Sequence, residues 1–318
     1  MHSTSWRWIL LLGSLFLLPL CAGAESLRPF VFAGIEEGDL QTVAAATRAK
    51  LRLAGFDVVG GYAPDRGRYV LVVTEPRLQR PVREHPRAAY GAVVRVGLTE
   101  VADGIQVAYT NPVYFQHAYR IPADFAPVRA GLAAALGAER TFGSRDGLTP
   151  ERLARYHYAV GMEYFDDPYV LGAFPSQAAA LAAIEQGLKE RRGGVSKVYR
   201  LDLGPGVTLY GVQLRAGGQG DRYGDERFQL GVVDAGALKR TAYLPYEVLV
   251  HDGRVEALHM RFRMAVHFPD VNMVGRNSFM KLRRSPRAVA AALRALVGAP
   301  EPAQTRDGPL PGYTEDDS

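Results

Sequence analysis

The chain of 318 residues is 47% apolar and 22% charged, carries a net charge of +5 and holds one cysteine. That balance excludes global disorder, and the length suits two domains of ordinary size. Its 38 Lys and Arg are interleaved with 33 acids rather than gathered in a stripe, which argues against a nucleic-acid partner.

The first two dozen residues differ from the rest. A short polar stretch with Arg7 leads into the apolar run Ile9 to Leu20, and then into the small residues Ala22-Gly23-Ala24. That order of charge, apolar core and small residues is the pattern of a secretory signal peptide, with cleavage expected after Ala24. A retained membrane anchor is the alternative. Leu20 directly before Cys21 argues against a lipoprotein site. Cleavage removes Cys21 and lowers the net charge by one, so the mature chain is expected to lack disulfides, thiolate catalysis and zinc–cysteine sites. The expected location is periplasmic or secreted.

From residue 25 onward the elements recur in one order. Phe30-Val31-Phe32-Ala33-Gly34 reads as a strand, followed by a helix opened by Asp39 and closed at Gly55. Asp accepts from the free amides of a first turn and Gly takes the left-handed conformation past the last. Two strands follow around Phe56–Val59 and Arg68–Val73. A hairpin then turns at Asp103-Gly104, and a closing helix runs from Asp124 to Gly137. In the second copy the same sequence of elements begins at Tyr169–Ala173. Its helix is opened by Ser176 and closed at Gly193; its strands are 195–201 and 207–212; its hairpin turns at Asp252-Gly253; and its closing helix spans Ser285 to Gly298. A Gly-rich charged insertion, Ala216 to Arg240, distinguishes the second copy.

The reading is therefore an α+β fold: two tandem copies of a small unit, each a mostly antiparallel sheet packed by helices. The boundaries are a signal peptide at 1–24, a first repeat at 25–137 and a linker at 138–167 whose short helix is capped by Thr149. A second repeat at 168–298 and a Pro-rich disordered tail at 299–318 complete the chain. The order strand, helix, antiparallel strands, helix, with Tyr109-Thr110-Asn111-Pro112 and Ser278-Phe279-Met280-Lys281-Leu282 before the closing helices, resembles the domain-of-unknown-function family 302. The resemblance implies the same small α+β units, often exported or repeated, and no activity.

No catalytic signature is present: no Gly-x-Ser-x-Gly, no His-Glu-x-x-His, no phosphate loop. Gly218 to Gly224 has the wrong spacing for a dinucleotide loop. The most informative stretch is Val255 to Phe268, read as one long strand with Leu258, Met260, Phe262, Met264, Val266 and Phe268 on the core face. His259, Arg261, Arg263 and His267 then share the other face, a candidate anion site because guanidinium matches carboxylate or phosphate. About 26 Å would separate His259 from His267 at about 3.3 Å per residue, too far for one metal ion. Arg276, Lys281 and His117 flank the approaches to the closing helices and complete the candidate set.

The expected function is an exported, non-enzymatic binding protein for a small anionic or amphipathic molecule. One alternative is an envelope structural or assembly factor that binds a partner protein. Another is a metal-free enzyme that pairs His259 or His117 with a carboxylate. No cofactor and no metal site is expected, and the membrane is met only through an uncleaved leader or by surface contact.

Overall fold

The computed structural model describes residues 26–298. The leader, its cleavage point and the tail 299–318 lie outside the described residues. Eleven strands and nine helices are found among those described.

In the first half the order is β1 (Phe30–Glu36), α1 (Leu40–Leu53), β2 (Asp57–Tyr62), β3 (Arg68–Thr74), the short α2 (Pro76–Gln79), β4 (Val94–Val101) and β5 (Gly104–Thr110). Next come α3 (Pro112–Ala118), α4 (Ala126–Leu136), β6 (Arg140–Phe142) and α5 (Pro150–Ala154). The second half runs β7 (Tyr169–Ala173), α6 (Gln177–Glu190), β8 (Val195–Asp202), β9 (Val207–Leu214), α7 (Glu226–Val233), β10 (Tyr246–His251), β11 (Arg254–Ala257), α8 (Met260–His267) and α9 (Ser285–Val297).

Both sheets are antiparallel throughout, so the fold is α+β as the alternation and turn residues predict. The first has the order β2-β3-β4-β5-β1-β6 and the second β8-β9-β10-β11-β7, the same path apart from β6. Register irregularities fall at corresponding pairings, β1 on β5 and β7 on β11, then β2 on β3 and β8 on β9. Asp39 caps α1 by accepting from the amides of Gln41 and Thr42, and Ser176 caps α6 by accepting from Ala179. The apolar stripe Val43, Ala44, Thr47, Leu51 buries α1 on its sheet; Ala180, Ile184 and Leu188 do the same for α6. At about 25 cal/mol per Å² these stripes, rather than helix propensity, hold the helices in place.

One core runs through both halves. The turn before β10 lies on β4, close enough that a side chain on Gly97 would stand 2.6 Å from the Ala242 amide nitrogen. Thr99 and Thr241 share a hydroxyl hydrogen bond of 2.7 Å there. Reciprocally, the turn Pro86–Gly91 before β4 packs on β9 and β10 of the other sheet. At the edges, β2 meets β8, where a side chain on Gly60 would come within 2.9 Å of Tyr199 Cβ. The halves are thus packed by exchange of equivalent segments.

Several readings change. Val255 to Phe268 is not one strand: β11 stops at Ala257 and α8 begins at Met260. His259 turns the chain, its Nδ1 accepting from the Arg261 amide to cap the helix. The physical reason for the misreading is that α8 is buried on nearly every side, so its apolar residues carry no 3.6-residue period and mimic alternation. The stretch read as a linker supplies β6 to the first sheet, and the Gly-rich insertion contains α7. Helix α6 ends one turn before Gly193, at Arg191 in the left-handed conformation (φ 53°). Ser285 is the first residue of α9 rather than its cap, and its hydroxyl is buried without a partner among the described residues.

Candidate functional site

Two clusters of charge join the halves. The deeper one starts from two buried charges at the second residue of corresponding strands, Arg95 in β4 and Glu247 in β10. Arg95 Nη1 donates to Glu247 Oε1, and Arg263 Nε of α8 donates to Oε2 at 3.1 Å. Arg263 also donates through Nη2 to the carbonyls of Tyr243 and Pro245, and its guanidinium lies 4.2 Å from the Tyr243 ring centroid and 4.6 Å from that of Tyr246. His267 Nδ1 is 2.7 Å from the Arg263 carbonyl and its Nε2 is 2.9 Å from Arg95 Nη2. That pattern assigns the tautomer: Nδ1–H donates to the carbonyl, and the bare Nε2 accepts from the guanidinium. Burial first, then the charges of Arg95 and Arg263, hold the imidazole far below its ordinary pKa, so it is neutral. Two guanidiniums and one carboxylate are buried together, with carbonyls, rings and a neutral imidazole answering the excess charge.

The second cluster is open. A cleft of about 390 Å³ is lined by Glu84, His85, Pro86 and Arg87 from the first half and by His251, Arg254 and Glu256 from the β10–β11 hairpin. Glu256, fully buried, accepts from Arg87 Nε at 2.8 Å and Nη2 at 3.0 Å, a bidentate pair. Arg254 Nε lies 3.3 Å from the same carboxylate and His251 Nε2 3.6 Å from it. Burial works to raise the pKa of Glu256, yet the nearby His251 imidazole and the bidentate Arg87 outweigh it and hold the group at about 2. Arg87 spends its donors on Glu256 and leans towards Asp166 (3.8 Å). Arg254 meets Glu256 as an ion pair, and its side chain is 46% exposed.

The residues singled out in the sequence scatter. Arg263 and His267 meet in the deep cluster, both fully buried. His259 stands at the other end of α8 against the Tyr169 ring, with a centroid distance of 4.2 Å, and burial followed by Arg261 and Arg294 lowers its pKa to about 3. Arg261 is a closed pair with Glu163, bonded through Nε at 2.8 Å and through Nη2. Arg276 and Lys281 are exposed between α8 and α9 and join neither cluster. His117 is half-buried on α3, which packs against α5; burial lowers its pKa against the opposing pull of Glu151. No row of free cations therefore exists on α8. The adjacent acids Asp166 and Asp167 serve separate ends, Asp166 accepting from Arg120 and Asp167 from the Tyr164 amide.

What sequence reasoning missed is Arg87, Arg95, Glu247, His251 and Glu256 as partners. One signal was present: Arg95 and Glu247 are opposite charges at the second position of corresponding, mostly apolar strands. Among the described residues no group of three or more His, Cys, Asp or Glu is arranged to hold a metal ion. No helix among them is long and apolar enough to cross a membrane. No family model, no curated protein and no solved structure matches this chain. The likeness to family 302 accordingly rests on the short segments quoted for it.

Proposed function

We propose that this is an exported binding protein whose ligand, a small carboxylate or phosphate, sits in the open cleft between the halves. The observation that carries the reading is Arg254: a half-exposed guanidinium whose Nε lies 3.3 Å from a buried carboxylate, in the lining of a cleft that also presents His85 and His251. A planar fork with free donors beside a void is what bidentate recognition of an oxyanion needs. The candidate face on α8 is set aside, because its cations are already neutralised. The shared strand order of the two sheets supports an origin by duplication.

Native mass spectrometry on protein prepared from the periplasm of an expression host, without refolding, tests this. A reproducible adduct of small-anion mass that disappears in Arg254→Ala supports the reading. An adduct retained in that variant, or displaced only by Arg276→Ala, moves the site elsewhere.

A further inference from the structure

Between Asp270 and Gly298 the chain carries six cations, Arg276, Lys281, Arg283, Arg284, Arg287 and Arg294, and no acid. The corresponding stretch of the first half, Asn111 to Gly137, has Arg120, Arg129 and the acid Asp124, and Arg120 is closed by Asp166. Asp270 does not answer the excess, because its carboxylate accepts from the Ser144 hydroxyl at 3.2 Å and from the Arg145 amide.

The local fold turns this charge outward and sets it beside an apolar tip. The carbonyls of Asn272 and Met273 accept from the amides of Phe279 and Met280, both at 3.0 Å, and close a loop. Tyr158 fastens its base: the hydroxyl donates to the Val271 carbonyl at 2.8 Å, and the ring meets Phe279 edge-on at 4.9 Å. Ser278 Oγ donates to the Gly275 carbonyl at 2.9 Å inside the loop. Val274 and Arg276 are left at the tip, both exposed, Val274 by 64%. From the base a short helical turn, Phe279–Leu282, runs through Arg283 and Arg284, both in helical conformation, into α9. Leu282 and Ser285 are buried, which leaves Lys281, Arg283 and Arg284 exposed on the outer side.

Among the described residues no ion pair closes Arg276, Lys281, Arg283 or Arg284. Arg284 leans instead on Tyr223, donating to its hydroxyl at 3.2 Å with the guanidinium 5.4 Å from the ring centroid. The exposed Arg222, 5.4 Å from the rings of Tyr223 and Phe228, extends the cationic surface. These cations stand at the positive end of α9, where a first turn ordinarily takes an acid, as Asp225 and Glu226 serve α7. The first turn of α9 has neither an acid nor a capping side chain.

We infer that this face docks on the anionic surface of a lipid bilayer, with Val274 entering the headgroup layer and the cations meeting lipid phosphates. Cations that ring an exposed apolar tip match both layers of such a surface, its charge and the hydrocarbon boundary beneath. A soluble polyanion would make no use of Val274 or of the half-buried Met273 and Met280 beside it.

Co-sedimentation with vesicles, using protein prepared from the periplasm of an expression host, tests the inference. The protein should sediment with mixed vesicles of phosphatidylcholine and phosphatidylglycerol, stay in solution with phosphatidylcholine alone, and bind less as salt rises. Arg276→Ala, Lys281→Ala and Arg283→Ala together should weaken binding at least about tenfold. The same change at three exposed cations elsewhere, Arg52, Arg66 and Lys189, should alter it by less than about twofold. Val274→Ser should weaken it about threefold and leave the salt dependence in place. Equal losses in the two triple variants, equal sedimentation with both kinds of vesicle, or no sedimentation with the mixed ones overturns the inference. Heparin binding that survives Val274→Ser while the mixed vesicles stay bare also overturns it, and assigns the face to a soluble polyanion.

Discussion

Arg95 with Glu247 and Arg87 with Glu256 are the same chemical pair, a guanidinium from the first half on a carboxylate from the second, set at two depths. At Arg95 both partners are about 3% exposed and every approach is filled by Tyr243, Tyr246, Phe115 and α8. At Arg87 the carboxylate is equally buried, but the cations above it reach into a cleft. The difference shows how depth divides the labour. Where water is excluded, the pair fixes how the halves meet, and its leftover donors, Arg95 Nε and Arg263 Nη1, are sealed from any ligand. Where one side stays open, the carboxylate anchors a cation whose outer nitrogens remain free to bind.

The largest effect expected from breaking this comparison is at the deep cluster. Glu247→Gln leaves two buried guanidiniums without their counter-charge and should cost about 3–5 kcal/mol in urea unfolding. Glu226, at the start of α7, is next. Its carboxyl accepts from Tyr62 of the first half at 3.0 Å and from Gln213 at 2.9 Å, and among the described residues no guanidinium or ammonium binds it directly; burial raises its pKa from 4.5 to about 7 against those two bonds. A raised carboxyl pKa means the folded state holds the proton more tightly. The contribution of this group to stability is then highest below pH 4.5, falls between 4.5 and 7, and is level above. Glu226→Gln should match the unaltered protein at pH 4 and exceed it by about 1–3 kcal/mol at pH 8, read from unfolding curves across that range.

A smaller effect sharpens the likeness of the halves. Asn111 caps α3 and His259 caps α8, each accepting from the amide two residues on. His259→Ala should lose about 1 kcal/mol, and His259→Asn should restore most of it. The smallest effect is at the cleft: Arg254→Ala should change stability by less than about 0.5 kcal/mol, because a half-exposed pair is worth little. A loss comparable to that at Glu247 would mean the cleft is a structural joint.

The parts of this molecule legible in the sequence are those specified locally. Asp39, Ser176 and Thr149 cap their helices as read, and Asp103-Gly104 and Asp252-Gly253 turn their hairpins. Helix α8 was hidden because burial on all sides erases helical period, and β6 because three residues are too few to show alternation. The cleft was illegible for a different reason. Its lining comes from a turn at 84–87 and a hairpin at 251–256 that only the packing of the halves brings together. Glu256 offered one clue, a carboxylate between Val255 and Ala257 in a buried strand.

The claim that the cleft binds and the α8 cluster does not is tested most directly by following side-chain resonances while the protein is titrated with inorganic phosphate and with citrate. Saturable shifts of the Arg254 Nε–H and His251 signals, absent in Arg254→Ala and accompanied by an unmoved Arg263 Nε–H, are the predicted result. Saturable shifts at Arg261, Arg276 or Lys281 with the cleft silent, or no saturable shift at all with either anion, would contradict it.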